Sequence, residues 1–220
     1  MTQVFKPRTS LLLKLGLLGV FGLCVVLALV YRLNIRSDAV QAAPIEQPVP
    51  FSHKHHVRDV GLDCRYCHTS VEKSAFAGFP PVSTCMTCHS QLFTDSPVLR
   101  PIVEAYRTGH AVQWNRVHDL PDFAYFDHSI HVAKGVGCVT CHGHVDDMPL
   151  TARVVSLDMQ WCLECHRHPE KYLRPKAHEF DMEWPGPASD KEQEDLGRLL
   201  RQYNQIRDSR DLTSCATCHR

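Results

Sequence analysis

The apolar positions are distributed unevenly along the chain. Residues 15–31 carry no charge, and residues 11–13 extend the run across Lys14, whose stem can snorkel. As a helix this stretch is long enough to cross about 30 Å of hydrocarbon. Residues 11–33 therefore read as a single transmembrane anchor, with residues 1–10 before it. A cleaved secretory signal is the competing reading, since Val40-Gln41-Ala42 offers a small-residue cleavage site. The run exceeds the roughly 7–15 residues of a signal's apolar region, which favours a retained anchor. Residues 34–50 place Pro44, Pro48 and Pro50 among small and polar side chains, a composition that suits an extended tether. The pattern changes again at Ser189, where Ser189 and Glu192 form a capping box and Leu196, Leu199, Leu200, Tyr203 and Ile206 recur at helical spacing. An amphipathic helix is expected there.

Charge alters this picture little. With 24 basic and 24 acidic side chains, the chain has no electrostatic footprint for nucleic acid. Cysteine and histidine alter it a great deal. Eleven cysteines and fifteen histidines exceed ordinary usage, and such an excess belongs to disulfides, metals or haems. Ten of the cysteines form five copies of one pattern: Cys64-Arg-Tyr-Cys67-His68, Cys85-Met-Thr-Cys88-His89, Cys138-Val-Thr-Cys141-His142, Cys162-Leu-Glu-Cys165-His166 and Cys215-Ala-Thr-Cys218-His219. C-x-x-C-H attaches c-type haem: the two thiols form thioethers with the vinyl groups and the adjacent histidine ligates the iron. Zinc would tolerate the spacing from Cys67 to Cys85 and from Cys141 to Cys162. It has no need, however, of a histidine directly after the second cysteine of every pair, and the fifth pair would lack a partner. Disulfides would not repeat the pattern either. Five covalently bound haem c groups are expected. Cys24, inside the apolar run, reads as a small hydrophobe.

Two segments repeat: FSHKHH at 51–56 and FDHSIH at 126–131, each an F-x-H-x-x-H followed closely by an attachment motif. Histidines at i and i+3 share a face of a helical turn, so each pair can serve two neighbouring irons. His53, His56, His128 and His131 are the expected distal ligands, while His55 points elsewhere. A fifth distal ligand is then needed. His118 is one candidate, with a nearby aspartate to orient its ring. Met148 is the other, as a thioether that would raise the potential of its iron. Six-coordinate irons have no open position, which argues for electron transfer and against chemistry at the haem.

The domain layout that follows is a dihaem module at 51–92, a connector at 93–125, a second dihaem module at 126–185, and a C-terminal helix with the fifth site at 186–220. So many attachment sites leave too little chain for a large side-chain core, so the haems themselves must form it. The expected fold class is a multihaem cytochrome c, mainly α with long ordered loops, little strand and one N-terminal transmembrane helix. Lys6, Arg8 and Lys14 before the helix against Arg32 and Arg36 after it give a slight positive-inside bias. Haem c is attached outside the cytoplasmic membrane, so the haem domain belongs on the periplasmic side and the N-terminus in the cytoplasm.

Through FSHKHHVRDVGLDCRYCH, AGFPPVSTCMTCH, WNRVHDLPDFAYFDHSIHVAKGVGCVTCHGHVDDMP and LDMQWCLECHRHPEKYLRP, the chain resembles the pentahaem cytochrome c subunit of alternative complex III, a bacterial quinol:electron-acceptor oxidoreductase. The likeness covers most of residues 51–175, and beyond 186 it rests on the haem motif alone. It implies an electron-transfer subunit, not catalytic by itself. That subunit would receive electrons from menaquinol through an iron–sulfur protein and pass them to a monohaem cytochrome, a soluble carrier or a terminal oxidase. A self-sufficient single-helix multihaem quinol dehydrogenase is the alternative.

Overall fold

The computed structural model describes residues 7–38 and 43–219, which form two units, one on each side of residue 41. The first is a single helix, α1 (Pro7–Asp38), opened by a proline whose fixed φ suits the first helical position. Within it Arg8–Arg32 is long and apolar enough to cross a membrane. Its large apolar side chains are exposed on every side, as in a helix built to face hydrocarbon.

The second unit is built from short helices. In chain order they are α2 (Cys64–Cys67), α3 (Val82–His89), α4 (Arg100–Thr108), α5 (His128–Ala133), α6 (Cys138–His142), α7 (Met159–Arg167), α8 (Asp190–Tyr203), α9 (Ser209–Leu212) and α10 (Cys215–Cys218). Among the described residues there is no strand, only an isolated bridge between Val136 and Leu173. Helices this short are marginal alone and depend on caps and packing. Side-chain oxygens supply the caps: Asp63 for α2, Asp127 for α5, Asp158 for α7, Ser189 for α8 and Asp208 for α9 each accept a backbone N–H of the first turn.

Aliphatic burial is sparse. Among the described residues the buried apolar side chains are Val49, Val71, Ile102, Ala105, Val132, Leu173 and Met182, and only Leu173 is essentially inaccessible. The half-buried space between elements belongs instead to cysteines and histidines. Polar clasps hold the loops. Arg58 pairs with Asp146 at 2.7 Å and with Glu183, tying the first module to the second half of the domain. Helix α8 lies against the turn at residues 169–171, where Gln193 donates to the carbonyls of Glu170 and Leu173 at 3.2 and 2.8 Å. At its end Lys134 and Asn204 each donate to the other's carbonyl.

The tether differs from its expectation. Its second half, from Ala43, is docked: Asn115 exchanges two hydrogen bonds with the Gln47 side chain and donates a third to the Glu46 carbonyl, and Val49 is buried. An asparagine amide and its own backbone can hold an extended segment as a ladder would, so a proline-rich stretch with no strand partner still becomes part of the domain.

Candidate haem-binding core

Each attachment motif forms one helical turn, so its cysteines, three apart, share a face, and the histidine follows on the same side. None of the cysteines is paired in a disulfide. Burial pushes the Cys138 and Cys141 thiols up to about 12 and Cys165 to about 11.

The histidine rings are held in a common manner. In the motifs, Nδ1 of His68 contacts the Gly78 carbonyl at 2.8 Å, His89 that of Leu92 at 3.2 Å, His166 that of Leu212 at 2.9 Å and His219 that of Phe123 at 2.9 Å. Among the paired histidines, His56 contacts the Ser52 carbonyl at 2.8 Å, His128 that of Ala75 at 2.9 Å and His131 that of Asp127 at 2.6 Å. A carbonyl only accepts, so each of these nitrogens carries the proton and each Nε2 is left with a free lone pair. His53 is the exception, its Nδ1 meeting the Thr151 hydroxyl at 2.9 Å. Burial holds His142 down to about 3 and His53 to about 4, so both rings are neutral and able to ligate a metal.

Three ring pairs have the spacing of axial ligands. An iron about 2.0 Å from each of two imidazole nitrogens, each nitrogen about 1.1 Å from its ring centre, sets the centres about 6.2 Å apart. The observed centroid distances are 6.2 Å for His56–His89, 6.4 Å for His128–His142 and 6.1 Å for His131–His166. After burial, the groups that hold the His53 ring down are His68 and then His56. The two F-x-H-x-x-H segments repeat in three dimensions as well. Phe51 stacks on His56 and meets His53 edge-on, and Phe126 does the same to His131 and His128. Haem c therefore fits the residues present.

His118 sits elsewhere than a fifth ligand would. Its ring packs edge-on against His142 at 4.4 Å, too close for an iron between their centres, and its Nε2 is buried without a partner. Asp119, expected to orient it, faces Arg116 at 3.5 Å instead. The Met148 carbonyl accepts from Lys54 N, between His53 and His56, and the Met148 side chain is half-buried. His219 is fixed at the segment before the second module, where the Cys218 carbonyl accepts from Tyr125 N. His144, Asp146 and Glu183 also gather, with Arg58 bridging the two carboxylates.

Tyr66 of the first motif bonds Thr87 of the second at 3.0 Å. The loop after the first motif receives Ser129 N and His128 from α5. His128 and His131 of α5 join the third motif to the fourth, facing His142 and His166, and the Leu212 carbonyl just before the fifth motif holds His166 of the fourth. These contacts link the second motif to the first, the first through α5 to the third and fourth, and the fourth to the fifth. Neither these links nor the carbonyl anchors carry a signal in the sequence.

Comparison with known proteins agrees with the chemistry. The class III cytochrome c family matches residues 33–113, and the family of cytochrome c7 and related cytochrome c matches residues 124–220. Both matches are to cytochrome c families, in agreement with the repeated C-x-x-C-H motifs. A stretch of 98 residues, 44% of this chain, is 39% identical to the menaquinone reductase multiheme cytochrome c subunit of Nitratidesulfovibrio vulgaris. The match spans 46% of that relative, less than half of its length.

Proposed function

We propose that the chain carries five haems and acts as the electron-transfer subunit of a membrane quinol oxidoreductase. The observation that carries this reading is the set of ring pairs at 6.1–6.4 Å. The five C-x-x-C-H motifs attach the haems, and His68, His89, His142, His166 and His219 bind the irons from one side. His53, His56, His128 and His131 bind the first four from the other. Of the two candidates for the fifth, His118 sits edge-on against His142 and Met148 is joined to the His53–His56 segment, while His219 is held at Phe123. When bound, each haem supplies a reversible one-electron iron couple.

The chain's own residues do the rest. The histidine pairs would hold each iron from two sides and leave no position for a small substrate, and backbone carbonyls fix the tautomer of seven of the rings. Helix α1 anchors that domain on the periplasmic face of the cytoplasmic membrane. Electrons enter from menaquinol through an iron–sulfur subunit and leave to a monohaem cytochrome, a soluble carrier or a terminal oxidase. The likeness to the alternative complex III subunit and to the menaquinone reductase subunit supports this assignment. The relative's name favours a second reading, in which the flow is reversed and a periplasmic donor delivers electrons towards menaquinone.

Mixing separates these readings. A menaquinol analogue should reduce the haems rapidly in the assembled complex and not in the isolated chain. Rapid reduction of the isolated chain would instead identify a self-sufficient quinol dehydrogenase. Haem reduction in the complex only by a reduced soluble cytochrome would establish the reversed flow.

A further inference from the structure

Eight of the haem-site histidines have Nδ1 held, seven by backbone carbonyls and one, His53, by a side-chain hydroxyl, Thr151 Oγ1 at 2.9 Å. We propose that Thr151 is a positioning residue for His53 that sets the potential of the iron His53 serves above that of its carbonyl-anchored neighbours. The proposal rests on the reading of His53 as a distal ligand.

The placement is built into the fold. Thr151 and His53 are 98 residues apart, and the segment carrying Thr151 is pinned three residues earlier, where the Met148 carbonyl accepts from Lys54 N at 3.0 Å. The hydroxyl is therefore delivered to the ring by the same contact that joins the two segments. An amide carbonyl accepts a proton more strongly than a hydroxyl does. A strong acceptor at Nδ1 gives the ring imidazolate character and makes Nε2 a better donor to ferric iron, which lowers the potential. Thr151 withdraws less of the proton, so His53 donates less and the reduced iron is favoured.

Thr151→Val keeps the shape and removes the acceptor, and Thr151→Ser keeps the acceptor. A redox titration of the full-length haem protein with low-temperature EPR should show, in Thr151→Val, one midpoint moved upward and one low-spin signal shifted. Thr151→Ser should match the wild type. Loss of one low-spin signal in Thr151→Val with retention in Thr151→Ser would equally support a positioning role. Wild-type midpoints and spectra in Thr151→Val, or the same change in both variants, would overturn it. A His53→Met control separates the two layers: it should replace one bis-histidine signal by a histidine–methionine one. If it leaves every signal in place, the ligand assignment fails instead of the role of Thr151.

Discussion

Helix α8 can rest on the turn at residues 169–171 only because position 197 lacks a side chain. A methyl group on Gly197 would meet the Glu170 carbonyl, closer than the 3.0 Å that Cβ atoms keep. The obstacle is backbone and cannot swing away, so Gly197→Ala must lift the helix. Alanine in a helix interior should gain about 1 kcal/mol over glycine by propensity. Against this, Gln193 loses two hydrogen bonds, about 1 kcal/mol each. Overpacking at the contact adds about 1–3 kcal/mol. The net is a loss of about 2–4 kcal/mol, or a fall in Tm of roughly 4–16 °C at about 2–4 °C per kcal/mol for a domain of this size. Thermal melts of the haem-loaded protein by far-ultraviolet circular dichroism read this directly. Leu199→Ala, on the exposed face of the same helix, should stay within about 0.5 kcal/mol of the parent. If Gly197→Ala melts with the parent, α8 is not held by this contact.

Two further outcomes test the site. Cys215→Ala should remove one haem and leave the other four attached, because each motif carries its own pair of thiols and the fifth meets the fourth through the Leu212 carbonyl on His166; loss of several haems in the reduced-minus-oxidised spectrum would contradict that independence. The near-infrared spectrum of the oxidised protein tests Met148: its seat beside the His53–His56 segment and away from His219 predicts no sulfur-to-iron band, and a band that Met148→His abolishes would contradict that seat.

What was legible in the sequence followed from covalent necessity. Thioether attachment needs two thiols and a following histidine, so His68, His89, His142, His166 and His219 declare themselves by position alone. The paired histidines were legible from helical spacing, and the flanking phenylalanine of each pair turns out to pack on both rings. The anchors were not legible. Every residue has a carbonyl, and which one reaches a ring depends on the path of a loop, as when Leu212 arrives at His166 from 46 residues away. The hydroxyl of Thr151 was hidden by the same distance. Proximity in sequence misled at His118, whose neighbour Asp119 answers Arg116 one turn back, as charged pairs at that spacing tend to do. It misled at the tether too, where nothing local marks Asn115 as the residue that docks Gln47.

The central claim is that this one chain bears five covalent haems. Intact-mass spectrometry of the denatured mature protein tests it most directly, because thioether-linked haem survives denaturation while ligated haem does not. The account predicts a mass about 3 kDa above that of the polypeptide, five haem increments. A mass corresponding to four or fewer would contradict it.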